Sequence, residues 1–253
     1  MTTRRAILGA AAALATCVAF MAGLAPATAT AQQRAATPLK IVVYGGSGNI
    51  GSRIVAEAAA RGHQVTVVDR NPKPGSAPAG VRVVAGDVFD TADVGRQIAG
   101  QDVVISSIVA RPAPTRDFSL RVVKSLVEAQ RAQGSIKPRL LVVGGASSLY
   151  NAQGKRIADT LPPNLPEGTR NEIFSMVDAL DHLYTVKDVP WTFFSPPSNI
   201  AAGTRTGRFR LGGDQLLVDA QGQSSISYED YAVAMIDEVE RPQHQNKRFT
   251  AAY

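Results

Sequence analysis

The string Gly45-Gly46-Ser47-Gly48-Asn49-Ile50-Gly51 limits what this chain can become more than any other feature. It follows Leu39 to Tyr44 (LKIVVY), a continuous apolar run of the kind that forms a strand buried on both faces. Ile50 to Arg61, alanine-rich and of helical composition, comes next. Glycines spaced GxxGxxG between a strand and a helix have a mechanical meaning. Gly45 and Gly48 let the chain turn tightly and bring backbone N–H groups up to a diphosphate, and Gly51 lets the helix pack closely on the strand. Gly46, Ser47, Asn49 and Ile50 complete the candidate cradle. Ordinary turns also use glycine, but Asp69, an acidic residue 18 positions beyond Gly51 at the end of a second strand, favours a dinucleotide-binding corner.

The remainder alternates in the same way. Further strands are predicted over Gln64 to Val68, Val81 to Ala85, Asp102 to Ile108, Arg139 to Val143 and Trp191 to Phe194. Helices are predicted over Thr91 to Ala99, Asp117 to Gln133, a stretch ending at Lys187 that starts near Gly168, and Tyr228 to Glu240. Ser227 is placed as an N-cap for the last of these, with Glu229 and Asp230 in its first turn. This order predicts an α/β fold with a doubly wound parallel sheet. Thr206 to Asp219 alternates polar and apolar residues around Gly212-Gly213, which suggests a hairpin over the site.

Composition removes several function classes. With 45% hydrophobic and 19% charged residues among 253, the chain is no disordered tail. A single cysteine, Cys17, excludes a disulfide scaffold, and three scattered histidines lack metal-ligand spacing, so no metal site is expected. Residues Met1 to Ala31 read as an export signal peptide: Arg4 and Arg5, an apolar stretch through Leu24, then the small residues Ala29-Thr30-Ala31. Thr3 to Leu8 resembles a twin-arginine signal, and an uncleaved membrane anchor is the alternative. Gln32 to Pro38 is a linker, and residues 39–253 form the folded domain. The expectation is a protein exported to the periplasm or beyond the cell, meeting the membrane only in transit. Without Arg4 and Arg5, 25 basic residues face 21 acidic ones, with no long basic run, so no nucleic-acid partner is expected.

The candidate site residues lie at predicted strand ends. A carboxylate at Asp69 accepts hydrogen bonds from an adenosine ribose and favours NAD, whereas Arg70 pairs with the 2′-phosphate of NADP, so the two oppose each other. Asp87, beside Val88, is placed to cap a loop near the adenine. Ser106, Ser107 and the turn from Gly144 to Ser148 fall where a nicotinamide should lie. No tyrosine has a lysine four residues on, the pairing that serves carbonyl reduction. Ser147, Tyr150 and Lys155 remain catalytic candidates only if they converge in space. Arg205, Arg208 and Arg210 are candidates to hold an anionic substrate such as a flavin phosphate.

The segment KIVVYGGSGNIGSRIVAEAAARGHQVTVVDRNP resembles the opening of atypical short-chain dehydrogenase/reductases with an NAD(P)H-binding fold. RLLVVGGASSLY, WTFFSPPSNIAAG, TGRFRLGGDQLL and SISYEDYAVAMIDE resemble a branch described as NADH-flavin reductases. The resemblance implies a Rossmann-type domain with a small C-terminal substrate lobe over about 196–253. It also implies a bound NAD or NADP, and a loop at Pro196 and Pro197 bordering the nicotinamide. Asp69 departs from NADPH-binding relatives, which carry an apolar residue before the arginine. The expected function is an NAD(P)H-dependent reductase of a flavin- or quinone-like acceptor, in a monomer or weak homo-oligomer. The alternatives are a non-catalytic NAD(P)-binding redox sensor and, less favoured, an epimerase or dehydratase.

Overall fold

A computed structural model describes residues 37–253 apart from positions 74, 76 and 136. The expected signal over residues 1–31, with Cys17 in it, and positions 32–36 of the linker lie outside the described residues. The described residues from 37 to 253 belong to one compact unit.

The apolar run condenses into β1 (Lys40–Tyr44), with β2 (Gln64–Asp69) parallel on one side and β4 (Val103–Ser106) parallel on the other. Alternate side chains leave opposite faces of a strand, so a strand covered on both sides must be apolar at every position. Ile41 and Val43 enter a core beneath α1 (Asn49–Ala60) and α5 (Tyr228–Glu240). Val42 and Tyr44 enter the other, beneath α2 (Thr91–Ile98), α3 (Phe118–Arg131) and α4 (Glu167–Thr185). With β3 (Arg82–Ala85), β5 (Arg139–Val143), β6 (Trp191–Ser195), β8 (Arg210–Gly212) and β10 (Lys247–Ala252), the strand order is β3-β2-β1-β4-β5-β6-β10-β8. The chain reverses direction across the sheet between β1 and β4. That switch point opens a crevice at the strands' carboxyl ends, where doubly wound sheets bind ligands.

The C-terminal part differs from expectation. The separate lobe over about 196–253 does not form as a unit, because α5 packs in the main layer and β10 extends the main sheet parallel to β6. What stands apart is a small parallel pair, β7 (Asn199–Ala201) with β9 (Ser225–Ser227). The expected hairpin over the site is also absent as such: β8 pairs antiparallel with β10 at the outer edge of the sheet. β10 escaped prediction because KRFTAA carries a charged residue at a buried position. Arg248 is 4% exposed, held by Asp214 Oδ1 at 2.6 Å and by the Ser148 carbonyl. Phe249 stacks on Phe194 with 4.0 Å between ring centroids, and Phe194 on Tyr231 at 3.9 Å, which fastens β10 and α5 to β6. Ser227 caps α5 as expected, its Oγ accepting from the Asp230 N–H at 3.0 Å.

Among the described residues, no helix is long and apolar enough to cross a membrane, and no group of three His, Cys, Asp or Glu side chains is arranged to hold a metal.

A charged network clamps α1 onto α5. Glu57, 8% exposed, accepts two bonds from Arg205 at 2.7 and 2.8 Å and one from Arg61 at 2.8 Å. Arg61 also reaches Asp237 at 2.7 Å and Glu240 at 2.9 Å on α5. The Arg205 bonds, helped by Arg61 and opposed by burial, hold the Glu57 carboxyl below its ordinary range. A lowered pKa contributes stability that is complete above the ordinary carboxylate range and is lost as pH falls through the lowered value. Glu57→Gln should therefore cost about 1.5–3 kcal/mol at neutral pH. The gap from wild type should close progressively below about pH 4, as followed by urea unfolding across pH.

Candidate dinucleotide cleft

The corner between β1 and α1 is built from missing side chains. Gly45 takes φ +74°, a left-handed conformation, and a Cβ there would lie 2.7 Å from the Ser107 carbonyl oxygen. A Cβ on Gly51 would collide with the Gly45 carbonyl oxygen, so only glycine lets the first turn of α1 cross the end of β1 this closely. Gly48 is the N-cap. It has no side-chain cap bond, and α1 has no acidic residue in its first turn. The first amides of a helix have no intrahelical acceptor, and here no carboxylate neutralises the positive end of the dipole. Ser47, Gly48 and Asn49 are exposed, while Gly46 is buried against Val67.

Two hollows flank this corner and share Gly48, Ser107 and Val109. The larger, about 220 Å³, lies over the ends of β1, β2, β3 and β4. Val88, Phe89, Ile108 and Phe118 supply apolar walls, with Phe89 and Phe118 edge to face at 5.6 Å. Asp69, half-buried, and Arg70, exposed, both line it, and neither side chain has a partner among the described residues. Tyr44 lines it too, with a buried Oη that lacks any hydrogen-bond partner. Burial and then the charge of Asp93 push its phenol above the ordinary range, so it is a neutral donor with nothing to donate to. The smaller hollow, about 130 Å³, adds Asn49, Ile50, Arg111, Ile200 and Tyr228.

These features fit a dinucleotide: bare amides and a helix start for a diphosphate, and beside them a ring-sized apolar slot with unspent polar groups.

Other expected site residues are placed differently. Asp87 is exposed, and its Oδ1 accepts from the Phe89 N–H at 3.0 Å, so its side chain shapes its own turn while Val88 faces the cleft. Ser107 lines both hollows and donates its N–H to the Tyr44 carbonyl at 2.8 Å, but Ser106 is buried within β4 and lines neither. Gly144 abuts the Phe193 ring, which leaves no room for a side chain, and it lines neither hollow. Pro196 and Pro197 are buried at the end of β6 and line neither.

None of the catalytic candidates lines either hollow. Ser147 Oγ donates to the Ile173 carbonyl at 3.3 Å, and Lys155 sits in an exposed turn, its N–H on Asn151 Oδ1 at 2.9 Å. The Tyr150 ring is flanked by the Arg248 and Arg156 guanidiniums at 5.2 and 5.9 Å. Two of the three candidate anion holders are spent: Arg205 on Glu57, and Arg210 on the Val218 and Tyr253 carbonyls at 2.8 and 2.7 Å. Sequence reasoning missed Tyr44, Arg111, Ile200 and Tyr228. Tyr44, at the carboxyl end of the first strand, and Arg111, a few residues beyond that of another, carried a positional signal.

Comparison with known proteins agrees with this geometry. Residues 45–242 match a family described as NAD(P)H-binding. A Burkholderia pseudomallei structure, provisionally named an exported protein, is 46% identical with a TM-score of 0.75, covering 85% of this chain and 100% of that one. A Bacteroides thetaiotaomicron structure, provisionally named an epimerase, is 38% identical with a TM-score of 0.77, covering 86% and 98%. A Streptococcus pneumoniae structure, provisionally named an NADH-flavin reductase, is 33% identical with a TM-score of 0.71, covering 85% and 99%.

The two ends of the corner separate by mutation. Gly51→Ala must push backbone apart and should cost about 1–3 kcal/mol in urea unfolding. Gly48→Ala, whose Cβ would meet only the Gly45 oxygen at 3.4 Å, should leave unfolding nearly unchanged.

Proposed function

Since the chain belongs to the NAD(P)H-binding family, we propose that it is an oxidoreductase that passes a hydride from a reduced nicotinamide to a planar, electron-poor acceptor of the flavin or quinone type. The observation that carries this is the pairing of a glycine-built cleft with acid–base candidates that stand outside it: Ser147, Tyr150 and Lys155 line neither hollow. Reducing a ketone or oxidising a sugar hydroxyl needs a positioned proton donor or base. A ring acceptor needs only to be held against the nicotinamide. The bound nucleotide supplies two electrons and one hydrogen as hydride, and the second hydrogen comes from solvent as a proton. On this reading the protein's share is binding and orientation. The amides at the start of α1 hold the diphosphate, and the larger hollow takes the adenosine. The smaller hollow, with Ile50, Ile200 and Tyr228, excludes water around the reacting rings.

The preferred nucleotide is proposed to be NADH. Asp69 sits deeper than Arg70, and a carboxylate there suits a ribose hydroxyl while repelling a 2′-phosphate. Export is part of the same proposal, supported by Arg4, Arg5, the apolar stretch to Leu24 and Ala29-Thr30-Ala31. The name given to the Burkholderia relative supports it too. The mass of the protein recovered from its natural compartment checks it, with removal up to Ala31 as the expected result.

Calorimetry with NADH and NADPH, followed by oxidation of each with a flavin and quinone panel, tests the function. Turnover with at least one ring acceptor is expected. Tight binding of oxidised and reduced nucleotide without turnover would instead favour the redox sensor. Gly48→Ala should weaken NADH binding about tenfold, or about 1.4 kcal/mol, while still folding. Asp69→Ala should move the NADH/NADPH affinity ratio toward NADPH by about tenfold or more, with Arg70 left to pair with the phosphate.

A further inference from the structure

Building on that reading, we infer that Arg111 selects acceptors that carry an anionic group on a planar ring system. Arg111 is the sole formal charge among the residues lining the smaller hollow, whose other walls include Ile50, Val109, Ile200 and Tyr228. Such a slot fits a flat ring, and the guanidinium at its side fits a phosphate or carboxylate attached to that ring.

The state of Arg111 supports the assignment. Its side chain is 60% exposed and meets one carboxylate, Glu172 on α4, through Nε at 3.0 Å. The two terminal nitrogens have no partner among the described residues. Other arginines docked on or beside α4 are forked onto their carboxylates with two bonds each: Arg116 on Asp178 at 2.8 and 3.0 Å, and Arg156 on Asp181 at 2.9 Å twice. Those bidentate pairs fasten structure. A single-point pair at a wet rim is readily exchanged. Glu172 thus parks the guanidinium at the mouth of the hollow, and an arriving anion offers the two-point contact that Glu172 does not. Arg205 and Arg210, which sequence alone nominated for this task, are committed elsewhere.

The test uses two ligands that differ only in a phosphate. FMN and riboflavin are titrated by fluorescence into the full protein saturated with NAD+, so that no turnover occurs. FMN should bind at least about tenfold more tightly than riboflavin. Arg111→Gln should bring FMN affinity down to that of riboflavin while NAD+ still binds with wild-type affinity. Arg111→Lys should keep part of the preference, since an ammonium neutralises the phosphate without forking it. Glu172→Gln, which releases the guanidinium, should tighten FMN a fewfold. Equal binding of the two flavins, or no binding of FMN, overturns the inference. So does an Arg111→Gln protein that loses NAD+ and FMN together, because the cofactor's own diphosphate would then be the anion. Reduction of both flavins at equal efficiency and affinity keeps the reductase reading and sinks the role of Arg111. A phosphate preference through Arg111 with no hydride transfer does the reverse.

Discussion

The close backbone approach at the end of β1 is what shapes the cleft. The first turn of α1 passes over the end of β1 with Gly51 against the Gly45 carbonyl, and Gly45 in turn lies against the Ser107 carbonyl beyond β4. Three chain segments meet there with no side chain between them. Because they touch directly, the start of α1 stands at the point where the strand order reverses, and its first residues, Gly48, Asn49 and Ile50, border the crevice. A methyl group at either glycine would part these segments and move the cleft walls with them.

Around that corner the polar groups divide into those already satisfied and those left over. Most buried charges are engaged: Glu57 with Arg61 and Arg205, Arg248 with Asp214, and Arg139 with Glu238 at 3.1 Å. Among the described residues, the buried polar groups without partners include Gln130 and Thr250 away from the cleft and Tyr44 Oη in the larger hollow, where Asp69 and Arg70 also lack partners, and the half-engaged Arg111 lines the smaller. Of these, Tyr44, Asp69 and Arg70 face an open hollow rather than packed protein, which suits a cleft where a ligand completes the hydrogen bonding.

Much of the fold was legible because its signals are local. The doubly apolar LKIVVY run, the glycine corner, the acidic end of β2 and the Ser227 cap each depend on residues near in sequence, and each formed as read. β10 and the edge position of β8 were not legible, since their strand character comes from partners far away: the Phe194–Phe249 stack and the Asp214 pair that permits Arg248 to be buried. Gly144 and Asp87 show the converse. Their residue types suited a binding loop, yet one fills space against Phe193 and the other closes its own turn.

By itself, then, the sequence determined the layering of the fold and the kind of ligand the first corner suits. Strand burial, helix periodicity and glycine sterics are properties of short stretches. Only the tertiary structure decided which side chains face that corner with bonding capacity to spare. Whether an arginine is free depends on carboxylates and carbonyls from other elements, so Arg205 and Arg210 were spent while Arg111 was left at the mouth of the cleft.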